Sequence, residues 1–266
     1  MRYLIISLTL LLIATTAQSE PSTDMPRFSW HDYEGIDWMS PVRDQGGCGG
    51  CWAFAAAAVM EAMFNIELGD PDFDIDLSEQ VLISCGLGSC DGWAAESALI
   101  YAADNGVPDE ACYPYLAANG NCDDRCAGWE IRGYMIESWG WALDYSDRTM
   151  AIKRRLVNGP VASPMMATEG FKTYSGGVYR PEEVSENMHV VAIVGWDDSH
   201  DSWICKNSWG EDWGVEGYFE VERDTLIGAD TVWIDVDTDL LPPDEELWPD
   251  EDEAPYDEGC SCSLAV

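Results

Sequence analysis

Basic residues are scarce in this chain. Lysine and arginine together number 13 against 50 aspartates and glutamates, giving a formal charge of −37 over 266 residues. The lysines are Lys153, Lys172 and Lys206 alone. Such a surface repels phosphate backbones and anionic lipid, which argues against nucleic-acid and anionic-membrane partners. The acidity is not confined to one end. Eleven acids lie between Val236 and Gly259, and without them the remainder still stands near −26. This suits saline surroundings or a cationic substrate, with salt favoured because the acid enrichment and lysine scarcity span the whole body. A calcium loop is lacking too. Asp70, Asp72, Asp74 and Asp76 alternate as its opening would, but Ile75 stands where glycine is needed and Val81 where the bidentate glutamate belongs. These acids read instead as an exposed strand, and no metal site is expected.

Against this background, Gln45-Gly-Gly-Cys48-Gly-Gly-Cys51-Trp-Ala-Phe54 concentrates chemistry. Trp52 to Ile66 is rich in Ala, Met and Phe and free of Gly and Pro, so it reads as a helix with Cys51 at its start. A thiol there faces unsatisfied N–H groups, an environment that can lower its pKa from roughly 8.5 into the ~3.5 to 7.5 range and make it a nucleophile. The same cysteines allow other readings: a Cys-x-x-Cys redox dithiol, a local disulfide, or half of a zinc site completed by Cys85 and Cys90.

A nucleophilic thiol needs a base, and the chain has three histidines. His31 lies in a polar segment and His200 in the Asp-rich turn after Trp196. His189 instead opens the apolar run Val190-Val-Ala-Ile-Val194, which predicts a buried strand able to hold an imidazole rigidly. The next strand, Ser202 to Lys206, leads into Asn207-Ser-Trp-Gly210 and pairs antiparallel with the first, bringing Asn207 near His189. An amide oxygen there would fix the imidazole tautomer. Taken singly, His189 reads more readily as a core histidine and Asn207 as part of a turn.

Taken together, these residues resemble the papain and cathepsin family of cysteine peptidases. His189 follows Cys51 by 138 residues and Asn207 by 156, close to the family's roughly 130 to 150. Trp38-Met-Ser-Pro-Val-Arg-Asp-Gln45, Leu77-Ser-Glu-Gln80, Tyr113-Pro-Tyr115, Tyr174-Ser-Gly-Gly-Val-Tyr179 and Trp209-Gly-Glu-Asp-Trp-Gly214 extend the match over about residues 28 to 236. The resemblance implies Cys51 as nucleophile, His189 as general acid and base, Asn207 as its orienting partner, Gln45 as an oxyanion donor and Trp209 as a shield over the His189–Asn207 contact. It implies peptide-bond hydrolysis through a thioester, with no cofactor or metal. The rival function is a catalytically silent peptide-binding relative. It also implies disulfides Cys48–Cys90 and Cys85–Cys122, with Cys112–Cys126 by elimination, while Cys205 reads as a buried thiol. The substrate pocket aligns with Gly92, Trp93, Ala94, Ala95, Pro164, Met188 and Val190, an apolar set that predicts a hydrophobic or aromatic preference. Trp93 stands where the family usually has glycine. It is either a stacking surface or a plug of the cleft.

The implied fold is α+β and two-lobed, with an active-site cleft between the lobes. Helices are expected at Cys51 to Ile66, Ser78 to Ile83, Ala94 to Asn105 and Arg148 to Asn158. An antiparallel sheet is expected from Val161 to Met166, Gly177 to Tyr179, Val190 to Val194, Trp203 to Lys206, Gly217 to Val221 and Thr231 to Asp235. Residues 1-19 read as a signal peptide, whose apolar core from Leu4 to Ala14 is too short to span a membrane. Residues 20-27 form a short segment where the family carries a long pro-segment, which suggests a secreted, bacterial-type member. Residues 237-259 read as an acidic disordered linker and 260-266 as a tail bearing Cys260 and Cys262, a candidate surface attachment. The expected protein is therefore a secreted, extracellular or periplasmic monomer acting on peptide or protein substrates, oxidised in keeping with its ten cysteines.

Overall fold

The computed structural model describes residues 20–144, 146–180, 187–223 and 227–243. The expected signal peptide and the Cys260 and Cys262 tail lie outside them. The first half of the chain supplies α1 (Cys51–Leu68), α2 (Glu79–Cys85) and α3 (Ala95–Asn105). Most of the sheet comes from the second half.

Helix α1 is the spine. Its alanines, methionines and phenylalanines suit a helix apolar on every side, and such a helix is stable only when surrounded. Trp52, Met60, Met63 and Phe64 are accordingly among the most deeply buried side chains, each contributing about 1.5 to 3 kcal/mol by leaving water. By length and composition α1 could cross a membrane, but it is mostly buried within the fold. It ends at Gly69, which adopts φ 64° so that its N–H reaches the carbonyls of Asn65 and Ile66. The Ser78 hydroxyl caps α2 by accepting from Val81 N–H at 3.1 Å. Asp147 caps α4 (Arg148–Leu156) by accepting from Met150 N–H at 2.9 Å, and Lys153, Arg154 and Arg155 complement the negative end of that helix.

Strands β1 (Arg27–Ser29), β2 (Ser138–Trp141), β3 (Val161–Met166), β4 (Val178–Tyr179), β5 (Met188–Asp197), β6 (Ser202–Lys206), β7 (Tyr218–Glu222) and β8 (Val232–Asp235) form one sheet. Their order is β2-β8-β3-β5-β6-β7-β4, with β1 added on β5. Pairing is antiparallel except between β4 and β7, which run parallel against the wholly antiparallel expectation. Strands β1 and β2 were not expected, and β5 is twice the length of the apolar run that announced it. At the bulge between Ile193 and Gly195, β5 meets β1 so closely that a Cβ on Gly195 would lie 2.0 Å from the Phe28 carbonyl oxygen. That approach requires glycine.

Two sequence expectations need correction. Residues 70–76 form a turn and irregular chain rather than a strand, because they connect α1 to the bridge at Leu77–Asp109 and have no longer ladder to join. The segment from Asp237 does not begin as a disordered linker. Thr238–Leu240 forms a helical turn and Leu241 packs on the core, since these residues still have apolar surface to cover.

Candidate active site

Cys51 is the first residue of α1, behind Gly50, which has no side chain with which to cap the helix. Its sulfur lies against the backbone N–H groups of Val190, Trp52 and Cys51 itself. Val190 follows His189 on β5, so the fold carries that strand against the helix start. The expected depression of the thiol pKa is not found. Burial dominates and pushes the Cys51 thiol up, and the amides offset it only in part. The sequence reveals a helix terminus but not its depth; Cys51 is only 8% exposed.

His189 is buried, and its Nε2 lies 2.7 Å from Asn207 Oδ1. An amide oxygen only accepts, so Nε2 carries the hydrogen and Nδ1 is left as the basic nitrogen. Burial lowers the imidazole pKa to about 4, opposed by the bond to Asn207. Trp209 covers this pair, its ring 4.8 Å from that of His189. Phe171 and Trp213 pack edge-on against Trp209 at 5.2 Å each. The spacing of Phe171 and Trp213 gave no hint of this support.

Gln45 sits on a loop tied to the segment after β6. Its N–H donates to Ser208 O at 2.9 Å, and Asp44 bridges Trp209. Its amide nitrogen donates one hydrogen to Cys48 O at 2.9 Å, and the Ser208 hydroxyl donates to its Oε1 at 2.7 Å. The side chain is thus held from both ends with one N–H to spare. Ser208 is the residue that sequence reasoning missed. The question of what orients Gln45 would have found it one position after Asn207. From the other side, Tyr115 Oη donates to Gln45 O at 2.7 Å, and Tyr115 N–H donates to Glu110 Oε1 at 2.6 Å. Burial pushes the Glu110 carboxyl up to about 7 and the Tyr115 phenol up to about 12.

Behind the site, Lys206 is buried between the halves and donates to Ser40 O at 2.7 Å and Ser40 Oγ at 3.0 Å. Ser40 in turn donates to Glu61, whose other oxygen accepts from Leu77 N–H at 2.9 Å. Burial lowers the Lys206 pKa to about 8 and raises that of Glu61.

The cysteines divide clearly. Cys48 is bonded to Cys90, Cys85 to Cys122 and Cys112 to Cys126. Cys51 and Cys205 are the free thiols among the described residues. With Cys48, Cys85 and Cys90 so paired, neither a Cys48–Cys51 dithiol nor a zinc site is available. Gly49 N–H also donates to Cys90 O at 2.8 Å, and a Cβ on Gly49 would stand 2.6 Å from that oxygen. The glycine is required for that contact. Three disulfides fit an oxidising compartment.

Of the residues assigned to the substrate pocket, Pro164 and Val190 are register partners on β3 and β5. Ala95 and Val190 are buried, Pro164 and Gly92 half-buried, Ala94 exposed. Met188 and Trp93 are 62% and 57% exposed. Gly92 adopts φ +98° and lies beside Gly49, which brings Trp93 to the loop that precedes Cys51.

Comparison with known proteins gives a consistent picture. A model of the papain family cysteine proteases matches residues 25–233. The chain is 34% identical over 201 residues to the cysteine endopeptidase RepA of Oryza sativa subsp. japonica, covering 71% of this chain and 51% of that protein. It is 33% identical over 198 residues to mexicain of Jacaratia mexicana, covering 71% and 88%. Digestive procathepsin L2 proteinase from Tenebrio molitor larval midgut superposes with a TM-score of 0.67 at 32% identity, over 80% of this chain and 68% of that one. The fold is therefore the two-lobed α+β papain fold. The chain spans about half the length of the rice relatives it matches, at 51% and 54%. The bacterial-type character expected from the sequence is not borne out, as these relatives come from plants and an insect.

Proposed function

The chain belongs to the papain family of cysteine proteases, and from that membership we propose that it is a secreted cysteine endopeptidase acting as a monomer on peptide or protein substrates. The observation that carries this reading is the His189–Asn207 pair under Trp209, with His189 on the strand that meets the sulfur of Cys51. Burial disfavours a charge on either Cys51 or His189 taken singly. Transfer of the proton from Sγ to Nδ1 creates both charges together, and their attraction in a low-dielectric site offsets the two penalties. The thiolate then adds to the peptide carbonyl carbon. The developing oxyanion takes hydrogen bonds from the spare Gln45 N–H and the Cys51 backbone N–H. His189 returns its proton to the leaving amine as the C–N bond breaks, leaving a thioester. Water, deprotonated by the same imidazole, releases the acid and restores the thiol.

Gly92 and Trp93 offer main-chain groups to an extended peptide, and the exposed indole of Trp93 adds a stacking surface. The apolar set Ala94, Ala95, Pro164, Met188 and Val190 favours a hydrophobic or aromatic residue two positions before the scissile bond. The disulfides and the leader support export.

The test is reaction of the full chain with a thiol-directed peptidyl epoxide, followed by mapping of the modified residue. Modification of Cys51, with loss of labelling and peptidase activity in Cys51→Ala, is the expected result. Labelling elsewhere, or none, would defeat the assignment and leave a silent peptide binder.

A further inference from the structure

Helix α3 has two faces with different surroundings. Ala98, Leu99 and Ala102 are at most 1% exposed and meet the core. Ser97, Ile100, Tyr101 and Asp104, at the i, i+3, i+4, i+7 spacing of a second face, line a cavity of about 400 Å³ instead. Leu87, Arg125 and Trp129 also line it, and neither Cys51 nor His189 does. Leu87 is 66% and Ile100 37% exposed, so water meets apolar surface here.

Arg125 is the unusual member. Arg27, Arg43, Arg132, Arg154, Arg180 and Arg223 each pair with a carboxylate. Arg125 pairs with none among the described residues, although the chain holds 50 acids. It is fixed all the same. Its Nε donates to Cys122 O at 2.7 Å, its Nη1 donates to Tyr101 Oη at 3.1 Å, and the guanidinium carbon lies 3.7 Å from the centre of the Trp129 ring. Cys122 and Cys126, on either side of it in sequence, are both held in disulfides. Two of the five guanidinium N–H groups are used in this way, which leaves three. Nη2 has no hydrogen bond among the described residues and is open to solvent. A guanidinium anchored like this has already lost the freedom that binding a ligand would otherwise remove.

The spare N–H groups suit a carboxylate, which an arginine grips at two points. Asp104 narrows the choice. It is exposed on the same cavity and makes no ion pair with Arg125, so two opposite charges stand apart on the walls. A phosphate or a dicarboxylate would be repelled by Asp104 and by the charge of −37 around it. A ligand carrying one anionic and one cationic group satisfies both residues, and Leu87 with Ile100 calls for an apolar body between them. We propose that this cavity binds a free α-amino acid with an apolar or aromatic side chain. Its carboxylate accepts from the spare N–H groups of Arg125, its ammonium donates to Asp104, and its side chain covers Leu87 and Ile100. The volume falls within the ~300 to 1,000 Å³ usual for small-molecule sites. The site is independent of the peptidase reading.

Ligand-observed NMR titration of the full chain with L-phenylalanine tests this. Saturation at one site is expected. 3-Phenylpropionate, which lacks the ammonium, should bind about fivefold more weakly, as suits loss of a partly exposed ion pair. Phenethylamine, which lacks the carboxylate, should not saturate. Asp104→Asn should bring phenylalanine and 3-phenylpropionate to within about twofold of each other, and since Asp104 is exposed this variant should fold. Arg125→Met keeps an unbranched stem on Trp129 and should weaken phenylalanine by at least about tenfold. Failure of phenylalanine to saturate would overturn the proposal, as would unchanged binding in Arg125→Met. A fivefold gap between the two ligands that persists in Asp104→Asn would overturn it as well, because the ammonium would then be held elsewhere.

Discussion

Glu110 offers a quantitative test of how burial acts beside the Gln45 loop. Its carboxyl is partly buried, with Oε1 bonded to Tyr115 N–H and Oε2 buried without a partner among the described residues. Its pKa rises from 4.5 to about 7, first through desolvation, with the neighbouring charge of Asp76 adding to it. The folded chain therefore holds a proton between about pH 4.5 and 7 that the unfolded chain has released. The resulting stability is fully present below 4.5 and is lost as pH rises through 7. At ~1.36 kcal/mol per pKa step the full gap is worth about 3.4 kcal/mol. Screening by solvent at a half-buried carboxyl reduces this to about 1 to 2 kcal/mol. Glu110→Gln keeps the acceptor for Tyr115 and removes the titration. Urea unfolding at a series of pH values, with the disulfides intact and the Cys51 thiol blocked, should give nearly equal stabilities near pH 4.5. By pH 8 the variant should have gained about 1 to 2 kcal/mol on the parent. A difference independent of pH would refute the reasoning, since it would place the effect in packing.

Gln45→Ala should lower kcat on a fluorogenic peptide by ~100 to 1,000-fold with little change in KM, because an oxyanion donor acts in the transition state. Ser208→Ala, which only frees the Gln45 amide to rotate, should fall between that variant and the parent; an equal or larger loss would mean that Ser208 acts on something other than Gln45. Lys206→Met should destabilise the fold by about 3 to 5 kcal/mol in chemical denaturation by leaving Glu61 buried without its cation. Adding Glu61→Gln should recover part of that loss, and strictly additive effects would refute the coupling.

Much of this fold could be read from the sequence wherever composition and period agreed. Helix α1 announced itself by an alanine-rich stretch without breakers, and β5 by its β-branched and apolar run. Strands β1 and β2 could not be read, because Arg27–Ser29 and Ser138–Trp141 are too short to show a period and exist only through the partners they find on β5 and β8. Strand β4 was expected at Gly177 to Tyr179, but its parallel pairing with β7 was not, since two residues carry no sign of direction. In the site, residues that differ chemically from their surroundings stood out: Cys51, His189, Asn207 and Gln45. Ser208 and Phe171 did not, since a serine in a turn and a phenylalanine in a core look ordinary until their neighbours are known. The thiol pKa was misjudged because burial depth is a property of the whole assembly, and no local pattern encodes it.

Strand β1 carries a consequence for how the chain reaches this state. Arg27–Ser29 pairs with Gly195–Asp197, Trp196 Nε1 donates to Met25 O at 2.9 Å, and Asp198 N–H donates to Pro26 O at 2.8 Å. Met25 and Trp196 lie 171 residues apart. The segment that forms β1 thus waits, apolar side chains uncovered, until β5, the longest strand of the sheet, has been made. Contacts of such long sequence separation close slowly. Phe28 and Trp30 remain exposed to other chains for that interval. The disulfides among residues 48 to 126 fall wholly within it and can form before the N-terminal strand docks.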